Sequence, residues 1–521
     1  MPLHSQFKTL DDISSHHAAE RPQHAAFLFQ NRVTTYGDLD RYARQVASGL
    51  SELVEAGQRV AVLAKNCDVF FELLLGASKS GAVLVGVNWR LAAPEVEYIL
   101  NDSETRVLFI APVFLPLLES IRPQLPLLEK VLVIEGNGAE GYHQWRDIQS
   151  ENDVAMSPRS EDTVIQLYTS GTTGRPKGVE ISSAALLAQR EAECRLGGWQ
   201  LSGPEDVILI AMPLFHIGGT ATGLISLYNG ARAVLVEEVD PAKIIALLET
   251  EKVTRTFLVP AAIQLLLDNP ACRPEVFASL KILLYGASPI PSALLQRALK
   301  VMGCGFAQIY GMTETAGSMT VLEPHDHSDP DARKMASCGK PYPGVEIAIA
   351  DEYDNVLPPD TVGEILIKGS SLMNGYWRLP EATAKTLRDG WLHSGDAGYL
   401  DQEGFLYIYD RVKDMIVSGG ENVYPAEVES ALYEHPAVQD VAVIGVPSDK
   451  WGEAVKAVIV KKQGAVVSES ELISFAKQKI AGYKVPKSVD FTDLLPRNAS
   501  GKLLKKDIRA PYWEGMDRQI N

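Results

Sequence analysis

Residues 168–178 read Tyr168-Thr169-Ser170-Gly171-Thr172-Thr173-Gly174-Arg175-Pro176-Lys177-Gly178. Hydroxyl groups and glycines at this density let backbone N–H and side-chain O–H groups approach a polyphosphate, and the lysine supplies positive charge. A plain surface turn can have the same composition. By itself the stretch leaves both interpretations open.

The stretch differs from a Walker A loop, G-x-x-x-x-G-K-[ST], in two positions. Pro176 stands where the second glycine is required, and Gly178 follows the lysine. Its flanks, residues 164–167 and 179–181, both have the composition of strands, whereas a Walker loop opens directly into a helix. We therefore expect a phosphate-binding loop of another kind, between two strands.

Short apolar, β-branched runs alternate with helical periodicity on both sides of this loop. We predict strands at 60–63, 83–87, 107–110, 207–210, 233–236, 256–259 and 282–285, and helices at 69–79, 94–101 and 242–248. Alternation of this kind is typical of α/β layers around largely parallel sheets.

After about residue 322 the pattern changes to strands broken by Pro and Gly, which predicts a β-barrel-like unit. Beyond residue 413 we predict a turn at Gly419-Gly420, a helix from Pro425, strands at 441–446 and 454–460, and a helix that opens with a capping box at Ser468 and Glu471. The expected fold is a large α/β N-terminal domain, residues 1–412, with two α/β-layered subdomains and the barrel-like one. A small, mobile α+β C-terminal domain, residues 413–521, follows.

The composition excludes several classes of protein. A net charge of −17 argues against a general attraction to nucleic acid or anionic lipid. The first 17 residues lack the apolar core of a secretory signal, and the apolar run 70–87 is interrupted by Glu72 and Lys79, so we expect a cytoplasmic protein without a transmembrane segment. The five cysteines form no C-x-x-C pair, which argues against a zinc site or a disulfide framework.

Four further motifs follow the loop in a fixed order. They are Tyr310-Gly311-Met312-Thr313-Glu314-Thr315, Trp391-Leu392-His393-Ser394-Gly395-Asp396, Asp410-Arg411-Val412-Lys413-Asp414-Met415-Ile416-Val417-Ser418-Gly419-Gly420-Glu421-Asn422-Val423-Tyr424-Pro425-Ala426-Glu427 and Pro496-Arg497-Asn498-Ala499-Ser500-Gly501-Lys502. With residues 168–178 they resemble the AMP-forming acyl and aryl CoA ligases, which share their fold with firefly luciferase and peptide-synthetase adenylation domains. Residues 410–427 are most similar to bacterial fatty-acyl-CoA ligases.

The resemblance implies a nucleotide site. The phosphates would be held by Thr169, Ser170, Gly171, Thr172, Thr173, Gly174 and Lys177, the adenine by Tyr310 and Gly311, the α-phosphate by Thr313, and the ribose by Asp396 and Arg411. Glu314 and Thr169 would bind Mg²⁺. A carboxylate suits a ribose diol because its two oxygens can accept in parallel.

The resemblance also implies two conformations. Lys502 in the small domain would bridge the substrate carboxylate and the α-phosphate, and Lys413 would be the hinge. After rotation Gly419 and Gly420 would leave room for the pantetheine arm of coenzyme A. Taken alone, Glu314 or Lys502 is a solvated charge and Gly419-Gly420 a hairpin turn, so these roles depend on the resemblance.

His216 has three possible roles: a general base for the thiol, a gate, or a core residue. Without a recognisable carboxylate partner the residues favour a core histidine, but the resemblance favours a gate beside the acyl pocket. Gly286, Ala287, Ser288 and Gly311 would line that pocket. Val417 stands where plant aryl-CoA ligases carry a lysine, which favours fatty acids over aryl acids.

We therefore predict a ligase that uses ATP, Mg²⁺ and coenzyme A to convert an apolar carboxylic acid, a medium- or long-chain fatty acid, into its thioester. The alternatives are an aryl or cinnamate-type CoA ligase, an enzyme that loads a carrier protein, and a silent nucleotide-binding scaffold. We expect carrier loading less because no carrier domain follows before Asn521, and luciferase-like oxidation less because the peroxisomal Ser-Lys-Leu tail is missing. No nucleic-acid partner is expected, and a homodimer is left open.

Overall fold

The computed structural model describes residues 7–136, 138–154, 158–169, 175–328, 333–411, 414–418, 421–448, 451–497 and 503–514. In these ranges the chain forms four β-sheets with helices packed around them.

The helices are α1 (Asp11–Glu20), α2 (Tyr36–Leu53), α3 (Val69–Ser80), α4 (Ala93–Asp102), α5 (Leu115–Ile121), α6 (Tyr142–Asp147), α7 (Ser183–Leu196), α8 (Ile217–Tyr228), α9 (Pro241–Thr250), α10 (Pro260–Asp268), α11 (Ser292–Met302), α12 (Pro380–Thr386), α13 (Pro425–Tyr433), α14 (Glu469–Lys477) and α15 (Lys505–Trp513).

The strands are β1 (Ala25–Phe29), β2 (Arg32–Thr35), β3 (Arg59–Leu63), β4 (Val83–Gly86), β5 (Val107–Ile110), β6 (Lys130–Val133), β7 (Thr163–Thr169), β8 (Lys177–Ser182), β9 (Val207–Ile210), β10 (Arg232–Leu235), β11 (Arg255–Leu258), β12 (Ile282–Gly286), β13 (Gly305–Met312), β14 (Gly317–Leu322), β15 (Lys340–Pro341), β16 (Glu346–Ala350), β17 (Gly363–Lys368), β18 (Gly375–Tyr376), β19 (Leu387–Arg388), β20 (Trp391–Leu400), β21 (Leu406–Arg411), β22 (Ile416–Ser418), β23 (Glu421–Val423), β24 (Val438–Ser448), β25 (Gly452–Lys461) and β26 (Ser488–Thr492).

A seven-stranded sheet has the order β18-β8-β7-β4-β3-β5-β6. The strands from β7 to β6 run parallel, and β8 and β18 are antiparallel. Every residue of β3, β4 and β5 is buried. Helices on both faces explain why these strands are almost continuously apolar instead of alternating.

A nine-stranded sheet has the order β15-β14-β13-β12-β11-β9-β10-β1-β2. Its six central strands, from β13 to β1, run parallel, and the outer three are antiparallel. These two sheets confirm the predicted pair of α/β-layered subdomains.

The carboxyl edges of the two large sheets adjoin. Asn66, which follows β3, donates hydrogen bonds of 3.0 Å to the carbonyl oxygens of Met212, after β9, and Val236, after β10. Its own side-chain oxygen accepts from the Leu214 amide at 2.9 Å. In open α/β sheets ligands bind at this edge, so two such edges face a common region.

The β-rich region is an antiparallel sheet of β16, β17, β20, β19 and β21. The last sheet contains β22 to β26 and forms the predicted α+β unit. Buried residues of α13 and α14 pack on one face, and Ile508 of α15 packs in a separate cluster with residues of β24 and β25. The predicted boundary falls at residues 412 and 413, which lie outside the described ranges, so it stays a prediction.

The helix predicted after residue 468 is present, but its cap is half of the expected one. The Ser468 hydroxyl accepts a hydrogen bond from the Glu471 amide at 3.3 Å. The Glu471 carboxylate lies 3.6 Å from His435 Nε2 instead of returning to the Ser468 amide. The second bond of the capping box is therefore not formed.

Candidate active site

The predicted phosphate loop joins two antiparallel strands. β7 ends at Thr169 and β8 begins at Lys177, and these two residues are directly paired at the base of the hairpin. Ser170, Gly171, Thr172, Thr173 and Gly174 lie outside the described residues. The strand after the lysine confirms the prediction that this is not a Walker A loop.

The base of the hairpin is anchored to α4 and its C-terminal end. The Tyr168 hydroxyl donates to Asp102 Oδ2 at 2.7 Å, and the Tyr98 hydroxyl donates to the Pro176 carbonyl oxygen at 3.1 Å. Burial raises the pKa of Tyr168, so its hydroxyl keeps its proton and remains a donor. Both ends of the loop are thus fixed to one helix.

Lys177 and Glu314 meet the same tyrosine. The Lys177 ammonium lies 4.5 Å from the centre of the Tyr376 ring. The Tyr376 hydroxyl donates to Glu314 Oε1 at 2.9 Å. The predicted phosphate lysine and the predicted metal carboxylate, 137 positions apart in the chain (314 − 177), are therefore linked through one side chain.

Glu314 lies in a single 3₁₀ turn, Thr313–Thr315, between β13 and β14. The Thr315 hydroxyl accepts from the Met312 amide at 3.0 Å and donates to the Gly317 carbonyl oxygen at 2.7 Å, which closes the turn. A β-carbon at Gly311 would lie 2.0 Å from that same carbonyl oxygen. Gly311 is therefore required by the close approach of the two strands, in addition to any contact with a ligand.

Tyr310 and Asp396 are joined directly. The Tyr310 hydroxyl donates to Asp396 Oδ2 at 2.8 Å, and burial, followed by the Asp396 charge, raises the pKa of Tyr310. Glu364 supports the turn before Asp396, because its carboxylate accepts from the Gly395 amide at 2.9 Å and lies 3.0 Å from His393 Nδ1. The predicted ribose and adenine residues thus form one cluster.

Several predicted site residues cannot be related to this cluster. The backbone of Arg411 pairs with Asp396 between β21 and β20, but its side chain is not among those described. Lys413, Gly419, Gly420 and Lys502 lie outside the described residues. Their roles stay predictions.

His216 precedes α8 at the carboxyl edge of the nine-stranded sheet. Burial, and then the nearby Arg90 charge, lowers its pKa to about 4. Its Nε2 is shielded from solvent and has no hydrogen-bond partner among the described residues. A histidine with this pKa is neutral at pH 7 and is a weak general base. The burial therefore argues against the general base and leaves the gate and the core residue as alternatives.

Gly286 ends β12 at the same carboxyl edge, and Ala287 and Ser288 follow it. A β-carbon at Gly286 would lie 2.2 Å from the Ile309 carbonyl oxygen on β13, so this glycine is also required by strand packing. Ala287 has a φ of 65°, a left-handed conformation that is unusual for alanine. Strained backbone of this kind clusters at functional sites, which agrees with the predicted pocket wall.

The residues fit a magnesium ion. Tyr376 is the sole hydrogen-bond donor to the Glu314 carboxylate in the described part of the chain, which leaves oxygen lone pairs for a metal. No group of three or more His, Cys, Asp or Glu side chains in the described ranges could hold a metal. Mg²⁺ commonly uses one or two carboxylates together with substrate phosphates, so the open oxygens of Glu314 fit this ion.

Glu364 and Tyr376 contact the motifs of the predicted site but were not identified from the sequence. Glu364 lies in β17, where an alternating pattern predicts a solvent-facing side chain. Tyr376 lies in the two-residue strand β18, which is too short to have a recognisable pattern. Neither residue stands within a recognised motif. Only the aromatic pair Tyr376-Trp377 after Gly375 was a local signal, since large aromatic residues are unusual in surface loops.

Comparison with known proteins agrees with this geometry. The family model "AMP-binding enzyme" matches residues 14–377, and "AMP-binding enzyme C-terminal domain" matches residues 427–502. The chain is 39% identical to the fatty acid–[acyl-carrier-protein] ligase ScoC of Streptomyces coeruleorubidus, over 99% of both chains. It is 38% identical to the feruloyl-CoA synthase of an Amycolatopsis species, over 94% of this chain and 96% of that one.

The fold is similar to that of ATP-bound MatB from Rhodopseudomonas palustris, with a TM-score of 0.88, 29% identity and coverage of 97% of this chain and 99% of that one. No helix in the described part of the chain is both long and apolar enough to cross a membrane. The matches extend over the large domain and most of the small one, and they confirm the resemblance and the enzyme class predicted from the motifs. The chain belongs to the AMP-binding enzyme family, as an AMP-forming acyl-CoA ligase.

Proposed function

We propose that the protein activates a medium- or long-chain fatty acid with ATP and transfers the acyl group to coenzyme A. The observation that carries this proposal is the clustering of distant motif residues: Lys177 and Glu314 share Tyr376, and Tyr310 donates to Asp396. One cluster offers groups for phosphates and a metal, and the other offers groups for a nucleoside.

The first step forms an acyl-adenylate. An oxygen of the acid attacks the α-phosphorus of ATP, the bond to the β-phosphate oxygen breaks, and pyrophosphate leaves. Negative charge builds up on the phosphates, so Lys177 would stabilise the β and γ groups and Thr313 the α group. Lys502 would neutralise the carboxylate and the α-phosphate as they approach each other.

Thr169 and Glu314 would hold Mg²⁺, which supplies positive charge to the phosphate oxygens when bound. Asp396 and Arg411 would orient the ribose, and the Tyr310 ring would stack on the adenine. In the second step the thiolate of coenzyme A attacks the acyl carbon, the bond to the AMP oxygen breaks, and AMP leaves. Gly419 and Gly420 would give the pantetheine arm access after the small domain rotates about Lys413.

The acid is proposed to be apolar because His216 would present no charge to it. With a pKa near 4 its ring is neutral at physiological pH. Gly286, Ala287, Ser288 and Gly311 would form the opposite wall of the pocket. An apolar pocket separates homologous acids by only about 1–3 kcal/mol per methylene, so we expect a range of chain lengths, and aryl acids as weaker substrates.

A second candidate acceptor is a separate acyl-carrier protein. ScoC, similar to this chain over its whole length, is named as a ligase for that acceptor. A chain of this length can therefore belong to an enzyme that loads a separate carrier protein. The lack of a fused carrier domain is then no argument against carrier loading.

The test measures pyrophosphate and AMP release for a panel of fatty and aryl acids, each with no acceptor, with coenzyme A or with phosphopantetheinylated carrier protein. The proposal predicts acid-dependent pyrophosphate release, and thioester formation with coenzyme A that is fastest with fatty acids. Faster transfer to the carrier protein than to coenzyme A would mean that the carrier protein is the acceptor. A higher rate with aryl acids than with fatty acids would mean that aryl acids are the substrates. The absence of AMP under every condition would refute the proposed ligase activity.

A further inference from the structure

Residues 373–377 form a segment, here called the strap, that is hydrogen-bonded to two parts of the candidate site. At one end the Met373 amide donates to the Glu314 carbonyl oxygen at 2.9 Å. At the other end the Trp377 amide donates to the Gly178 carbonyl oxygen at 2.8 Å, one residue after Lys177. The strap therefore connects the backbone of the 3₁₀ turn that carries Glu314 with the backbone of the β7–β8 hairpin.

Tyr376 makes the same connection with its side chain. Its ring contacts the Lys177 ammonium at 4.5 Å, and its hydroxyl donates to Glu314 Oε1 at 2.9 Å. A cation over a ring face is attracted by the ring quadrupole, and a hydrogen bond to a carboxylate is stronger than one between neutral groups. One side chain thus holds a cation and an anion that have separate roles in the proposed reaction.

The tyrosine is itself held firmly. Tyr376 pairs with Val179 between β18 and β8, and its amide donates to the Thr383 hydroxyl at 2.9 Å. The residue is only 8% exposed. Because the backbone of Tyr376 is fixed and its side chain is buried, the ring has little freedom to move. The positions of the two groups that it contacts therefore depend on the position of the ring.

We propose that Tyr376 is a positioning residue that sets the relative placement of Lys177 and Glu314 before ATP and metal bind. This inference rests on the proposed function, because it takes Lys177 to bind phosphate and Glu314 to bind Mg²⁺. Without the ring and its hydroxyl, the ammonium and the carboxylate are free to pair with each other. Such a pair uses the charges that the phosphates and the metal need.

The two contacts can be removed one at a time. Tyr376→Phe keeps the ring face for Lys177 and loses the hydrogen bond to Glu314. Tyr376→Leu loses both. Tyr407→Phe is the matched control, because the Tyr407 hydroxyl donates to Asp401 Oδ2 at 3.2 Å. Tyr407 lies in β21, in the sheet of β16, β17, β19, β20 and β21, which does not include Tyr376.

The experiment measures binding, without turnover. The affinity for a non-hydrolysable ATP analogue is determined by calorimetry in EDTA, and the affinity of the analogue-bound protein for Mn²⁺ is determined by electron paramagnetic resonance. We expect Tyr376→Phe to weaken Mn²⁺ binding about tenfold, the loss of one hydrogen bond to a carboxylate, and to change metal-free nucleotide affinity less than about twofold. Tyr376→Leu should weaken both.

Tyr407→Phe should change neither affinity. If Tyr376→Phe binds Mn²⁺ as the wild type does, or loses both affinities equally, the positioning role is refuted, and this holds even if Tyr376→Leu does not fold. A wild-type protein that binds no ATP analogue would instead refute the proposed function. The two failures are therefore distinguishable.

Discussion

At the scale of single residues, Tyr310 and Asp396 are 86 positions apart in the chain and are joined by a hydrogen bond of 2.8 Å. This bond fixes one carboxylate oxygen against a buried tyrosine. The carboxylate is thereby oriented in advance, which would reduce the entropy lost on binding if Asp396 holds the ribose as proposed.

Asp396→Ala should weaken ATP binding about tenfold or more, because a charged acceptor for two hydroxyl groups is lost. The Kd for a non-hydrolysable ATP analogue measures this. Glu346→Ala, which removes an exposed carboxylate with the same charge from the same sheet, is the control and should leave the Kd unchanged. An unaltered Kd in Asp396→Ala would exclude this residue from the ribose site.

Gly311 shows a different kind of constraint. A β-carbon there would lie 2.0 Å from the Gly317 carbonyl oxygen, a backbone atom that cannot move without its strand. We expect Gly311→Ala to lower the free energy of unfolding by about 1–3 kcal/mol. Gly482→Ala is the control, because a β-carbon at Gly482 meets nothing within 4 Å.

Urea denaturation of the two variants would decide this. Equal midpoints for Gly311→Ala and Gly482→Ala would show that the β13–β14 strands can separate at no cost, contrary to the packing described here.

At the scale of elements, α1 and α8 pack through a buried histidine. His17 is 2% exposed, and its Nε2 lies 3.3 Å from the Tyr228 carbonyl oxygen at the end of α8. Burial lowers the pKa of His17 to about 4, and the nearby Arg21 charge acts in the same direction. The helix pair is therefore built around an uncharged imidazole.

The resulting pH dependence has a definite sign. Above pH 6.5 His17 is neutral in both states and its contribution to stability is complete. Between pH 6.5 and about 4 the unfolded chain binds a proton that the folded chain does not, so the free energy of unfolding falls by up to about 1.4 kcal/mol per pH unit for this group. The pKa of His24, His216 and His327 is lowered in the same direction.

His17→Gln should reduce the fall of Tm between pH 6.5 and 4.5, because glutamine can donate to Tyr228 and does not titrate. Thermal melts across this range measure the slope. His325→Gln, at a position with 74% side-chain exposure, should leave the slope as it is in the wild type. An identical slope in His17→Gln would mean that His17 is protonated in the folded state.

At the scale of the whole molecule, the two large sheets meet at their carboxyl edges and the small sheet carries its own core. Separate cores allow two bodies to move relative to each other while each stays folded. This arrangement suits an enzyme that is proposed to use one cavity for two successive reactions.

Lys502→Ala should depress adenylate formation by about several hundredfold, since a charge at the reacting groups is lost. It should affect transfer from a supplied acyl-adenylate much less.

Gly420→Leu should slow thioester formation and leave adenylate formation nearly unchanged, because the leucine side chain fills the proposed pantetheine path. Pyrophosphate release and thioester formation, measured separately, test both variants. Equal losses in both half-reactions would contradict the proposed division of roles.

The sequence by itself determined the fold class, most strands and helices, and the family. The strands at 107–110 and 207–210 have the predicted bounds, because apolar periodicity reports on burial over a few neighbouring residues. The motifs could also be recognised in the sequence, since their chemistry depends on residue type and spacing. The predicted second bond of the capping box at Ser468 was wrong, because the Glu471 carboxylate faces His435, which is distant in the chain and lies outside the local pattern.

The tertiary structure alone decided which side chains support the motif residues. Tyr376 between Lys177 and Glu314, Glu364 beneath the turn before Asp396, and Asn66 between the sheet edges all join segments that are distant in the chain. Contacts of this kind depend on how the loops at two sheet edges approach each other after folding. No local pattern of residues encodes that approach, because periodicity specifies which face of an element is buried and not which distant loop will meet it.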